Sequence, residues 1–143
     1  MTNQTSNSVS LDLLALHALH PRIRKGFAYL HTHRGNGIYF ERGKERLVGL
    51  LTREYLPLLT TLLATHDRAE IEAQRAHVEG RLERGSDLLN TATSERVTDA
   101  YIELIEEYEI LSDALQVGQH PDTFLRRAFD RMDAIRNAGQ VAA

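Results

Sequence analysis

The sequence predicts an all-α, single-domain, irregular bundle of five to six helices, and three observations predict it. Apolar residues recur at helical spacing along most of the chain. Prolines and glycines punctuate long segments rather than short alternating runs. The one stretch that reads as extended, Ile38-Tyr39-Phe40, has no second strand to pair with. With 143 residues, 42% of them hydrophobic, the chain has the length and the apolar content for one domain with a real core. The expected organisation is a polar tail over 1–9, the bundle over 10–138 and a short tail over 139–143.

Taken in order, Ser10 is placed to cap a short helix through Leu19. Pro21 then ends that helix and opens another, which carries Ile23, Phe27 and Leu30 on one face. His33-Arg34-Gly35-Asn36-Gly37 reads as a turn, followed by the short extended piece at 38–40. From Lys44 to Thr65 the stripe Leu47, Leu51, Tyr55, Leu58 and Leu62 predicts a helix, with Pro57 expected to kink or split it. Asp67-Arg68-Ala69-Glu70 has the form of a capping box, opening a polar helix with Ile71, Val78 and Leu82 inward and Gly85 as its stop. The clearest helix runs from Glu95 to Gln116. Its stripe is Val97, Tyr101, Leu104, Tyr108, Leu111 and Leu115, widened by Ile105, with Ser94 as N-cap and Gly118 just past the end. Pro121 and Asp122 open the last helix, which buries Leu125, Ala128, Met132 and Ile135 and ends near Gly139.

The absence of cysteine from the sequence excludes disulfides, thiolate metal sites and cysteine nucleophiles. The first ten residues are polar and uncharged, unlike a signal peptide, and no contiguous apolar run approaches the roughly 20 residues of a membrane span. A cytoplasmic location and no membrane partner are therefore expected. Seven histidines invite a metal, and His17 and His20 share a helix face at i, i+3. His31, however, is roughly 16 Å further along a straight helix. The helix around His77 is too polar to wall a haem, so no metal and no cofactor are expected, with a metal- or haem-binding bundle kept as an alternative. The acidic pair Glu106-Glu107 is expected on a solvated face.

Arg24 and His31 are separated by six residues and stand about two helical turns apart on one face. That pair resembles the Arg-x(4–6)-His motif of the HEPN ribonucleases, an all-α family of about this size, although Lys25 stands where that family usually has a polar residue such as Asn. The resemblance implies an RNase in which Arg24 and His31 are the working pair.

Charge is unevenly divided. Residues 1–60 carry eight Arg/Lys against four Asp/Glu, whereas 61–143 carry nine against sixteen. Arg22, Arg24, Lys25, Arg34, Arg42, Lys44 and Arg46 crowd one window with Tyr29, Tyr39 and Phe40 as aromatic anchors, which suits an acidic partner surface or a nucleic-acid backbone. The helix from Glu95 to Asp113 is acidic in turn. The function expected from this pattern is that of a non-enzymatic interaction protein, a small subunit or regulator that docks on protein partners, in a nucleoprotein assembly or outside one. RNA or DNA contacts would run through the basic third, and self-association through the two oppositely charged regions. Small helical subunits of CRISPR effector complexes and phage-encoded inhibitors share this architecture and nothing more specific.

Overall fold

The computed structural model describes residues 12–91 and 95–141, and the side chains of 12–85 and 98–139. Among them helix is the sole regular structure. The helices are α1 (Leu14–Thr32), α2 (Gly37–Leu50), a π-helical turn (Leu51–Tyr55), α3 (Leu56–Thr65), α4 (Arg68–Thr91), α5 (Glu95–Gln119) and α6 (Pro121–Val141). The caps expected at Ser10 and Ser94, the side chain of Val97 and the tail over 1–9 lie outside the described residues.

Helix α5 is the axis of the bundle. It packs against α4, α3, α6 and α1, so more than one stripe of it is covered. Leu111 and Leu115 are buried as their spacing requires, but so are Ile110, Ala114 and Val117 on a second face. Ile105, expected to widen the first stripe, is exposed. In α6 the inward residues are Phe124, Met132 and Ile135, with Leu125 and Ala128 packed at the margin of the core.

Several boundaries differ from expectation, each for a local reason. Pro21 does not divide the first helix: α1 runs unbroken with Pro21 inside it. A proline in a helix interior costs about 3 kcal/mol. The buried series Leu16, Leu19, Ile23, Phe27 and Leu30 on either side of it offsets that cost. The expected extended piece at 38–40 is instead the first turn of α2, because the Asn36 side chain accepts from the Tyr39 backbone N–H and caps a helix starting at Gly37. Pro57 does not split its helix either. The turn before it widens, the Leu56 N–H reaching back five residues to the Leu51 carbonyl, and the rod continues from Gly37 to Thr65. Gly85 and Gly118 stop nothing. They sit inside α4 and α5, where a Cβ would meet Tyr101 at 2.8 Å and Leu63 at 3.1 Å, and they are sites of close helix approach. The last helix likewise passes Gly139 to reach Val141.

The capping box forms as expected. The Asp67 carboxylate accepts from the Glu70 N–H and the Glu70 carboxylate from the Asp67 N–H, both at 2.9 Å. One helix bears on the membrane expectation. By length and composition the Gly37–Thr65 rod is long and apolar enough to cross a bilayer, with a hydropathy of 1.3 over its most apolar stretch. Contiguous runs hide this, because Arg53 and Glu54 interrupt them. Leu47, Leu51, Tyr55, Leu59 and Leu62 along the rod are committed to the core of the bundle.

Candidate interaction groove

The ten residues of the basic, aromatic window divide into four groups. Phe40 is 1% exposed and belongs to the core, with the Arg136 guanidinium over its ring, so it is no anchor. Helix formation at 37–40 turns it inward and leaves Ile38 and Tyr39 outside. Arg24 reaches across to α5, its Nη1 donating to Glu106 Oε2 at 2.7 Å. Lys44 lies 3.9 Å from Asp133 on α6, and Arg34 donates to the His31 carbonyl and closes the turn after α1. These three cations are thus engaged within the molecule. Among the described residues, Lys25 and Arg42 have no carboxylate within ion-pair distance.

Glu106 was expected in solvent and is 8% exposed. His17 Nδ1 lies 3.7 Å from its Oε1 and His20 Nδ1 3.9 Å from its Oε2, beside the Arg24 contact. The i, i+3 histidine pair thus converges on a carboxylate of α5. The second covered face of α5 is what the periodicity of a single stripe could not show. His20 Nε2 is also 3.0 Å from Glu109, while its Nδ1 is buried without a hydrogen-bond partner. Burial lowers the His20 pKa more than the two carboxylates raise it. No group of three or more His, Asp or Glu among the described residues is arranged to hold a metal ion. Of the Arg24 and His31 pair, Arg24 is engaged by Glu106, and His31, two turns further along α1, is exposed.

What remains comes together as a groove between α1 and α2. It has a volume of about 580 Å³ and is lined by Arg22, Arg46 and Arg53, by Tyr29, and by Glu45 and Glu54. Its floor is made by glycines. A Cβ on Gly43 would stand 2.5 Å from Tyr29 Cδ1, and one on Gly26 would stand 2.8 Å from Leu47 Cδ1. The helices can approach this closely because side chains are missing there, and the long arginines rise on either side as walls. The Arg46 guanidinium lies 5.0 Å above the Tyr29 ring, and Tyr29, His33 and Tyr39 form a row of tilted ring contacts towards the α1–α2 turn. Arg22 is 3.4 Å from Glu54 on an exposed edge, a contact of little energetic weight. Arg53 was not in the sequence window. It follows Arg46 by seven residues on the helix expected from Lys44 to Thr65, which puts both on one side, but it lies outside the dense basic run that ends at Arg46.

No family model, curated protein or solved structure matches the chain.

Proposed function

We propose that the protein is a non-enzymatic helical docking subunit whose α1–α2 groove receives an acidic segment of a protein partner. The observation that carries this reading is the convergence of Arg22, Arg46 and Arg53 with Tyr29 over a glycine floor. Guanidinium groups bind carboxylates as planar, two-pronged donors, and the half-buried Tyr29 ring beside them supplies an anchor for an apolar residue of the same segment. Three arginines against Glu45 and Glu54 leave the groove only modestly positive. That balance suits a polypeptide with mixed side chains. A nucleic-acid strand presents uniform charge, which the two glutamates repel, and the whole chain has a net charge of −3. Self-association through the acidic helix has less support, since Glu106 faces α1 and Glu107 accepts from Gln74 within the molecule.

A titration followed by NMR tests this directly. The backbone amides of Gly26, Gly43 and Gly49 lie in or beside the groove. They are expected to shift on addition of a Glu-rich peptide bearing a Leu or Phe, and to stay fixed with a Lys-rich peptide of equal length. A single-stranded RNA that moves the same amides more strongly than the acidic peptide does would overturn the choice of partner.

A further inference from the structure

A second cleft, on another side of α1 from the groove, has features that the docking reading leaves unused. It lies between α1, the π turn, α5 and α6 and has a volume of about 340 Å³, in the range of small-molecule sites. Its apolar lining comes from Ile23, Phe27, Leu51, Phe124 and Ala128. Its carboxylates and guanidiniums are segregated by helix. Glu109 and Asp113 stand on α5, Arg127 and Arg131 on α6.

Opposite charges therefore share one cleft, yet among the described residues neither arginine has a carboxylate within ion-pair distance. Elsewhere in the molecule facing charges do meet, as in Arg24 with Glu106 and Arg136 with Glu41. Each group in the cleft is also held in place. Tyr55, almost wholly buried, donates its hydroxyl to Asp113 Oδ2 at 2.7 Å, and His20 stands 3.0 Å from Glu109. The Arg131 guanidinium is stacked 3.8 Å over Phe27. With the Gln116 amide turned to satisfy both groups, its oxygen accepts from Arg127 at 2.8 Å. Burial and the neighbouring Glu109 push Asp113 up to about 6, as befits a carboxylate that lacks a cation.

We propose that this cleft binds a small zwitterion, a free α-amino acid with an apolar side chain. Its ammonium sits on Asp113 and Glu109, its carboxylate on Arg127 and Arg131, and its side chain against Phe27 and Phe124. A simple anion would meet two carboxylates, and a simple amine or metal cation would meet two guanidiniums. A zwitterion matches both walls at once, and the apolar lining accounts for the rest of the ligand.

The test uses the full chain with L-phenylalanine and L-leucine as probes, by calorimetry or ligand-detected NMR at neutral pH. Saturable binding is expected. N-acetyl-L-phenylalanine, which lacks the ammonium, and L-phenylalanine amide, which lacks the carboxylate, are each expected to bind at least about tenfold more weakly, the loss of one charge-assisted contact. Arg127→Gln and Asp113→Asn should each weaken L-phenylalanine by a similar factor, whereas Arg46→Glu, in the other groove, should leave it unchanged. Absence of binding by both amino acids overturns the proposal, and so does equal binding of the two blocked derivatives. The blocked-derivative series needs only the unmodified protein, so it decides the matter even where a variant fails to fold. Because the cleft shares none of the arginines of the α1–α2 groove, failure here leaves the docking reading standing, and the reverse also holds.

Discussion

Asp113→Asn isolates the energetic consequence of placing a carboxylate beneath Tyr55. Asp113 sits largely out of water, and burial raises its pKa from 3.8 to about 6 despite the Tyr55 hydroxyl, which favours the ionised form. A folded pKa above the unfolded one means that the native state binds more protons between those two values. Stability contributed at low pH is therefore lost as pH rises through about 6. The interval corresponds to about 3 kcal/mol at 1.36 kcal/mol per unit. Asparagine keeps a carbonyl oxygen for the Tyr55 hydroxyl and cannot ionise. Urea unfolding followed by circular dichroism, with both proteins compared at pH 4, 5, 6 and 7.5 (roughly the window of the shift), reads the difference. The variant should match the parent near the acid end and exceed it by about 2–3 kcal/mol at neutral pH, the difference growing from pH 3.8 to about 6 and levelling off above. A stability difference that is the same at every pH would refute the account of Asp113 as a buried, cation-lacking carboxylate.

Three further outcomes follow from other parts of the fold. His20→Gln should show the opposite pH trend. Burial lowers the folded pKa of His20 below 6.5, so the parent loses stability as pH falls through that region while Glu109, Glu106, Arg24 and His17 face the ring, and the variant should be flatter in the same urea series. Arg24→Ala should destabilise by about 1–3 kcal/mol, less than for a wholly buried pair because Arg24 is half exposed, and a double-mutant cycle with Glu106→Gln should recover most of that as coupling. Gly43→Ala should destabilise by about 1–3 kcal/mol and displace Tyr29, whereas Gly49→Ala, whose Cβ would come no closer than 4.0 Å to the Arg53 side chain, should stabilise by about 0.5–1 kcal/mol, both read as shifts in thermal midpoint.

Much of the fold was legible because local signals and tertiary packing agree there. The Asp67 to Glu70 capping box, the Pro121 start and the Leu111 and Leu115 stripe are each specified by residues close in sequence. Punctuation was less reliable wherever packing overrode it. Pro21 and Pro57 lie in continuous helix, and Gly85 and Gly118 mark helix approaches, which a chain read in isolation cannot tell from stops. The candidate site was half visible. Arg22, Tyr29 and Arg46 could be found by composition, whereas Arg53 lies beyond that dense basic run and is found only by its seven-residue spacing from Arg46 along one helix. The withdrawal of Arg24 and Lys44 into ion pairs with α5 and α6, and the burial of Glu106 and Phe40, depend on which helices become neighbours. No spacing rule within one helix contains that information.

The docking claim is met most directly by parallel capture of partners from the protein's own source with the parent chain and with a variant carrying Arg22→Glu, Arg46→Glu and Arg53→Glu together. Both are first shown to fold alike by circular dichroism. A discrete protein is expected to be retained by the parent, released by added salt and missing from the variant. Retention of the same protein by both chains, undiminished in the variant, would contradict it.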